Sequence, residues 1–519
     1  EVRNKYLTSA KYFVDNTKNT MILFGIFILI TALLFKIIPT SFLPEEDKGA
    51  IFTQIQLPDG SSASRTDIIT REVEKRIQTY KGVKETISLV GFAGENTALV
   101  VTILDNWSKR HGSKLSANGI IGKIRQDFGN YPSAVIVSFS PPSIPGLGMF
   151  GGFEYQLLDK GDRSPQDLYL ESMKFVADAN KNPALSSVYT QYTANLPQLM
   201  FDVDTAKAMA QGVTIQEIYT TLAANFGQTY VNDFNKYGRV FRVMMMAQDE
   251  FRAKRQDIDK IFVKNINGKM VPLTSVIKLK DVVGPYTITR FNMYKAVTMN
   301  GSAAKGVSSG KAMKTMEDLS NKILPKDMGY AWSGISLQEQ ESSGQIGFIL
   351  ATALIFVYLF LVALYESWTL PLAVMLISPI AIMGGLLFQY VFGYSLDIYS
   401  QIGLVMLIGL STKQAILIIE FAKEAKENLK MHYNDAAMEA AKLRFRAVMM
   451  TAIAFILGML PLVFASGAGS TSRRSIGMTV FGGMIAVAFI GTMLVPAFFV
   501  AVEKMKDNVE EFILKRKQQ

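Results

Sequence analysis

Residues 398–419 read IYSQIGLVMLIGLSTKQAILII, a run that is uncharged except at Lys413. An α-helix needs roughly 20 predominantly apolar residues to cross a bilayer's hydrocarbon core, and this run has that length. A lysine near the centre of such a helix costs at least roughly 2.5–3.5 kcal/mol, so it normally faces a protein interior and has a partner. Snorkelling to the cytoplasmic face is the alternative. Against it, Gln414–Phe421, apolar apart from Gln414 and Glu420, still separates Lys413 from that face.

On either side of this run lie five more stretches without charge. They are the residues between Lys18 and Lys36, then Ser342–Tyr365, Ser367–Leu396, Ala447–Ser472 and Ser475–Val502. Soluble core helices rarely stay uncharged so long, which makes this an integral membrane protein with six spans. Orientation follows from Lys and Arg near the span ends. Arg3, Lys5, Lys11 and Lys18 precede the first span; Lys423, Lys426, Lys430, Lys442, Arg444 and Arg446 join the fourth to the fifth. Lys504, Lys506, Lys515, Arg516 and Lys517 follow the last, whereas the opposite short loops carry only Arg473 and Arg474. Both termini are therefore expected in the cytoplasm, and a block of about three hundred residues outside it. The net charge of +10 is largely this bias, so no nucleic-acid partner is needed to explain it.

Paired opposite charges lower the cost of burial, so Lys413 should have an intramembrane carboxylate. Glu366, Asp397 and Glu420 all fall at span ends. The acid is thus expected from another chain or from a half that is not shown. A start at Glu1, with neither an initiator methionine nor a cleavable signal, is consistent with a segment of a longer chain. Thr451 could add a hydroxyl. Arg444 could serve the cytoplasmic mouth, with a plain positive-inside anchor as an equal rival. Gly384-Gly385, Gly403, Gly409 and Gly482-Gly483 allow close helix approach, and packing alone accounts for them.

The soluble block begins with alternation at Ile51 (IFTQIQLP). An Asp59-Gly60 turn follows, then a helix that Ser64 or Thr66 can cap, with Ile69, Val73 and Ile77 on one face. Strands Val83–Val90 and Thr97–Leu104 flank Gly91-Phe92-Ala93-Gly94. A helix over 115–128 and a strand over 134–139 complete a β-α-β-β-α-β order, the split βαβ or ferredoxin-like unit. A second such unit starts with strand 153–158, a helix opened by Ser164-Pro165, and strand 185–192. It resumes with strand 296–301, helix 308–323 and strand 329–332. Residues 196–284 between its halves read as an inserted subdomain with a helix over 214–226 and an Asn267-Gly268 hairpin turn.

His111 and His432 are the only histidines and fall on opposite sides of the membrane, and there is no cysteine. Neither a histidine metal cluster nor thiolate chemistry is available. Residues Gly306–Ala312 imitate a phosphate loop but are one residue short between the glycines, with Ala312 in place of the Mg²⁺-binding hydroxyl. They read as a capped helix start. With no ATP-hydrolysing motif, active transport would draw on an ion gradient.

Gly409–Phe421, followed by Arg444–Gly458, resembles the resistance–nodulation–division superfamily, and within it the hydrophobe/amphiphile multidrug pumps of the AcrB, MexB and CmeB kind. Ser41–Asp47, Gly91–Gly94, Tyr230–Phe234, Ala363–Trp368 and Gly467–Ser470 carry the likeness nearly end to end. It covers the C-terminal half of such a pump, from its seventh span to its twelfth. The resemblance implies an α+β membrane protein with a six-helix transmembrane half-bundle and periplasmic ferredoxin-like βαββαβ porter subdomains. It divides the chain into an amphipathic arm and first span (1–38), one porter subdomain (39–146) and a second (147–195 and 285–335). A docking or funnel subdomain (196–284), five further spans (336–502) and a cytoplasmic tail (503–519) make up the rest.

By the same resemblance the protein is a homotrimeric drug/proton antiporter of a Gram-negative inner membrane. It would use the proton gradient and no cofactor, exporting drug-like amphiphiles through a periplasmic adaptor and an outer-membrane channel. Lys413 would be the relay lysine pairing with two aspartates on the fourth span, in the N-terminal half that is not shown, with Thr451 and Arg444 at the other relay positions. Phe92, between Gly91 and Gly94, would lie on the loop separating two drug pockets. Ile87, Leu89 and Val101 would line the distal pocket, and Phe52, Gln54, Val137, Phe139 and Tyr189 the proximal one. The chain departs from the family here: the glycine loop is shorter, and Val101 and Val137 stand where aromatics are common. Gln54 replaces a methionine and Tyr189 an arginine, so its drug preference should differ. Core packing is the plainer role for each apolar residue among them. A metal exporter, drawing on thioethers such as Met244-Met245-Met246, and a non-transporting scaffold or receptor of the same fold are the rival readings.

Overall fold

The computed structural model describes residues 2–44, 46–148, 151–304, 306–342 and 344–517, with side chains described up to Val509. Glu45 and the side chains of Lys515, Arg516 and Lys517 lie outside the described residues. The chain mixes long apolar helices with antiparallel sheets. Helices α1 (Val2–Asp15) and α2 (Thr17–Ile37) lead into β1 (Ala50–Gln56), α3 (Ala63–Gln78), β2 (Val83–Val90) and β3 (Thr97–Leu104). Helix α4 (Ala117–Phe128) and β4 (Val135–Phe139) follow. The four strands form a sheet of order β2-β3-β1-β4, every pair antiparallel. Ile51, Ile55, Val100 and Leu104 on one sheet face pack against Ile69, Val73 and Ile77 of α3 and Ile120 and Ile124 of α4. Each such side chain contributes about 1.5–3 kcal/mol when fully buried.

The cap of α3 is Ser62, whose Oγ accepts from the Arg65 N–H, and not Ser64 or Thr66. Thr66 instead donates its hydroxyl to the Glu95 carbonyl, so a tertiary bond takes the side chain expected to cap.

Just before β1, Asp47 accepts two hydrogen bonds from Arg110 (2.8 and 3.0 Å) and one from the Ala117 N–H that opens α4. Burial pushes the Asp47 carboxyl up. Hydrogen bonds from Arg110, Ala117 and Gly49, with the Arg110 charge, outweigh burial and hold it below the usual carboxylate range. The pair therefore stabilises fully above the unfolded-state value, and the stability is lost as pH falls through the lowered folded value. Arg110→Met should cost about 3 kcal/mol by stranding the carboxylate. Thermal unfolding followed across pH should show the gap from wild type narrowing on acidification.

Strand β5 (Phe153–Asp159), α5 (Pro165–Asn180) and β6 (Leu185–Thr190) begin the second unit. Ser164 caps α5, with Pro165 in its first turn. Residues Thr193–Thr287 then form a compact unit of their own. It holds β7 (Leu196–Val203), α6 (Thr205–Ala210), α7 (Ile215–Phe226), β8 (Thr229–Lys236), β9 (Arg239–Met245), β10 (Phe262–Lys264), β11 (Met270–Pro272) and β12 (Ile277–Gly284). β7 and β12 pair antiparallel from Leu196↔Gly284 to Val203↔Ile277, around a core that includes Ile218, Leu222, Val263 and Leu273. The hairpin β8–β9 is exposed along nearly its whole length.

Strands β13 (Arg290–Phe291) and β14 (Tyr294–Ala303), α8 (Ser309–Ile323) and β15 (Met328–Ser333) complete the second unit. β14 lies between β6 and β5, and β15 flanks β5, so the order β6-β14-β5-β15 repeats that of the first sheet. Ser308 caps α8, and Ser309 donates 2.6 Å to Glu339, so an internal carboxylate occupies the helix start that imitates a phosphate loop.

Helix α9 (Gly334–Ser342) precedes α10 (Gln345–Tyr365), α11 (Leu370–Met375), α12 (Ser378–Val391), α13 (Ile398–Asn428), α14 (Tyr433–Val463), α15 (Ser470–Ala486) and α16 (Thr492–Lys517). Among the described residues, six helical segments are long and apolar enough to cross a membrane. The 367–396 run, expected as one helix, breaks into α11 and α12 at Leu376–Ile377, just ahead of Pro379, which has no N–H to donate to the carbonyl four residues back. Between α15 and α16 the chain stays helical through a π-helical segment, Val487–Gly491.

Glycines set the closest helix contact. A Cβ on Gly384 would stand 2.3 Å from the Ala486 Cβ, and one on Gly483 would stand 2.4 Å from Leu407. Gly409 differs from the others: a Cβ there would meet nothing within 4 Å. It takes no part in packing within the described residues.

Candidate substrate-binding face and ion-coupling residues

Alternation in the first sheet turns every second residue away from the helices, and strand register then lines those residues up. Ile87 pairs with Val101, Val101 with Phe52, and Phe52 with Phe139, making one row across all four strands. Leu89, Leu99, Gln54 and Val137 make the next row. Seven of these eight residues are pocket candidates from the sequence, and the register brings them onto one face. Leu99 is the member that sequence reasoning missed. Its position two residues before Val101 on the same strand is the signal that could have found it.

Ile87 and Leu89 are 51% and 45% exposed, so this edge of the face is open apolar surface. Phe52 and Phe139 meet edge to face with ring centroids 6.2 Å apart. The Gln54 Oε1 is buried with no hydrogen-bond partner among the described residues.

The turn between β2 and β3 presents Phe92 at its tip, 48% exposed. Gly91 and Gly94 have φ of +80° and +146°, conformations that L side chains rarely adopt. The Gly91 N–H donates to the Thr97 carbonyl, and the Thr97 N–H donates to the Gly94 carbonyl. The Ala93 N–H reaches the Thr97 hydroxyl, so the turn is tied at its base while Phe92 stands clear.

A cleft of about 980 Å³ opens between the two sheet units. Val137 and Phe139 line it from β4 and Tyr189 from β6. Burial pushes the Tyr189 phenol up. Phe52 and Gln54 share the sheet face but do not line this cleft, so the proximal candidates divide between the two surfaces.

In the membrane segment, Lys413 lies about 22 Å along α13 from Ile398, at 1.5 Å per residue. It belongs to an exposed stripe that includes Ile402, Met406, Gly409 and Glu420, residues three, four or seven apart on one helix face. Ser411, Thr412, Gln414 and Ala415 around it are buried. No carboxylate pairs with Lys413 among the described residues. Thr451 is exposed on α14, which packs against α13, and its hydroxyl donates to the Val448 carbonyl. The Arg444 guanidinium lies 3.3 Å over the Phe421 ring, which ties α14 to α13.

Asp397, expected only as a span-end acid, is the buried cap of α13. Its carboxylate accepts from the Ser400 N–H and from the Ser475 hydroxyl of α15. Among the described residues, no group of three His, Cys, Asp or Glu is placed to hold a metal ion.

Residues 1–503 of the chain match one family model, described as the AcrB/AcrD/AcrF family. The chain belongs to that family. It is 35% identical over 508 residues to the multidrug export protein AcrF of Escherichia coli K12, covering 96% of this chain and 49% of AcrF. It is 37% identical over 515 residues to MepB, a multidrug/solvent efflux pump membrane transporter of Pseudomonas putida, covering 98% of this chain and 49% of MepB. Multidrug resistance protein MdtF of Escherichia coli K12 is 37% identical over 511 residues, covering 96% and 49%. The chain therefore spans about half the length of the curated relatives it matches.

Proposed function

We propose that this chain forms half of a proton-driven multidrug exporter. The apolar rows Ile87–Val101–Phe52–Phe139 and Leu89–Leu99–Gln54–Val137 would hold the body of hydrophobic and amphiphilic compounds. That shared, partly exposed face is the observation that carries the reading, because contiguous apolar surface on a soluble unit marks a binding site. Phe92, on its tied turn, divides a distal pocket on Ile87, Leu89 and Val101 from a proximal one on Phe52, Gln54, Val137, Phe139 and Tyr189.

In this reading the two sheet units are ferredoxin-like porter subdomains outside the cytoplasmic membrane of a Gram-negative cell, with both termini inside. The unit 193–287 docks to a periplasmic adaptor and an outer-membrane channel, and three copies assemble. Lys413 gains its carboxylates from the other half of the pump, and Thr451 and Arg444 complete a proton relay. The work is secondary active transport, coupled to the proton gradient and to no cofactor.

Phe92→Ala should weaken export of bulky compounds more than of small ones, because only a bulky body needs the turn to move aside. Resistance measured over a size-graded drug series checks this. An equal effect at every size counts against the dividing role.

A further inference from the structure

Residues 39–47, between α2 and β1, carry more fastenings than a plain connection requires. Their first end is tied to the start of α13, the helix that bears Lys413. The Leu396 N–H donates 2.9 Å to the Pro39 carbonyl, and the Ile398 N–H donates 3.2 Å to the Phe42 carbonyl. Thr40 bridges Leu396 in parallel, and the Ser41 and Ser395 hydroxyls meet at 2.6 Å. Further along, Glu46 accepts from the N–H and the hydroxyl of Ser472 at the start of α15. Asp47 ends the segment, holding Arg110 and the Ala117 N–H of the first sheet unit.

Glu339 adds a hold from the second sheet unit. Its carboxylate accepts 2.6 Å from the Ser309 hydroxyl at the start of α8, and it also accepts from the Phe42 N–H. A buried carboxylate is costly unless its oxygens are hydrogen-bonded, and here the two donors belong to two different elements. Gly310 has to be bare beside this joint. A Cβ there would stand 2.9 Å from the Thr40 hydroxyl and 3.0 Å from the Thr40 carbonyl.

The segment is also stiff where it could have been slack, since Pro39 and Pro44 each fix φ at about −65°. A regular helix moves as one body, so a tilt of α13 at Lys413 displaces its start, about 22 Å away at 1.5 Å per residue. Asp397 caps that start and accepts from Ser475, so α13 and α15 shift together. Both helices are fastened to residues 39–47, and those residues are fastened to both sheet units.

Resting on the exporter reading above, we propose that residues 39–47 are a rigid strap that carries displacement of the Lys413 helix into the sheet units, with Glu339 as the positioning residue that holds it in place. Energetic coupling between distant sites travels through such chains of hydrogen bonds and stiff elements. Without Glu339 the start of α13 still moves but the sheets no longer follow, so protons pass without drug.

The protein as its native gene encodes it is reconstituted in sealed vesicles, and proton flux and N-phenyl-1-naphthylamine export are read together under an imposed pH gradient. In Glu339→Ala the protons moved per dye exported should rise roughly tenfold, the factor that losing about 1.4 kcal/mol of fastening gives. Glu339→Gln keeps an acceptor oxygen and should hold the ratio near wild type. A merely structural role lowers both fluxes together and leaves the ratio unchanged. The chain has no cysteine of its own, so S41C/S395C can form one cross-link within it. That variant should export as fast oxidised as reduced, because the strap stays fastened throughout the cycle. An unchanged ratio in Glu339→Ala, an equal rise in Glu339→Gln, or export that stops on oxidation overturns the proposal while the exporter reading stands. Wild-type vesicles that move no dye under the gradient overturn both.

Discussion

Lys413→Ala should abolish drug resistance, bringing cells to the level of those without the gene, while the protein should remain in the membrane in normal amount. The two halves of that expected result have separate causes. Lys413 stands on the exposed stripe of α13, with its neighbours Ser411, Thr412, Gln414 and Ala415 carrying the packing, so its removal leaves the contacts within this chain intact. A lysine at that depth nevertheless carries a cost of at least roughly 2.5–3.5 kcal/mol, which persists only where the charge does something. Lys413→Arg keeps the charge but not the proton exchange at ordinary pH, since guanidinium does not deprotonate in proteins. It should fail as alanine does. Drug susceptibility together with a membrane immunoblot checks both variants, and undiminished resistance in either removes Lys413 from the relay.

Gly384→Leu is expected to destroy the fold of the membrane segment. Even the first carbon of the new side chain would stand 2.3 Å from the Ala486 Cβ and 2.7 Å from the Gly482 carbonyl. Relief requires α12 and α15 to separate, and overpacking of that kind costs about 1–3 kcal/mol even for small insertions. Leucine at a close glycine contact should exceed that range. Gly409→Leu is the matched contrast, since a Cβ there meets nothing within 4 Å among the described residues. It should insert and purify as wild type does. If another half covers the Lys413 stripe, however, Gly409→Leu should lose export. Yield of monodisperse protein distinguishes the two variants, and equal yields mean that the glycine contact does not hold the bundle together.

Much of the secondary structure was legible because it follows from local rules. Strands 83–90 and 97–104 end where alternation meets Gly91–Gly94, and α5 starts at the Ser164-Pro165 pair. The cap of α3 was misread because three hydroxyls lie within five residues and only tertiary contact with Glu95 decides among them. The break ahead of α12 was hidden inside an uncharged run, with Pro379 its one trace. The β8–β9 hairpin was missed as well. It turns on Tyr237 and Gly238, both at positive φ, a pairing that is not among the usual Asn-Gly or Asp-Gly signals.

For the candidate site, sequence supplied members and structure supplied neighbours. Alternation puts Phe52 and Gln54 on one side of β1. Only the pairing register makes Ile87, Val101, Phe52 and Phe139 a single row and adds Leu99 to the next.

The central claim, that this family member exports amphiphiles at the expense of a proton gradient, is tested most directly in sealed vesicles. The protein as its native gene encodes it is reconstituted, a pH gradient is imposed, and movement of N-phenyl-1-naphthylamine is followed as the gradient is collapsed with a protonophore. Transport should start with the gradient and stop when it collapses. Transport that continues unchanged after collapse, or none under the gradient, would contradict it.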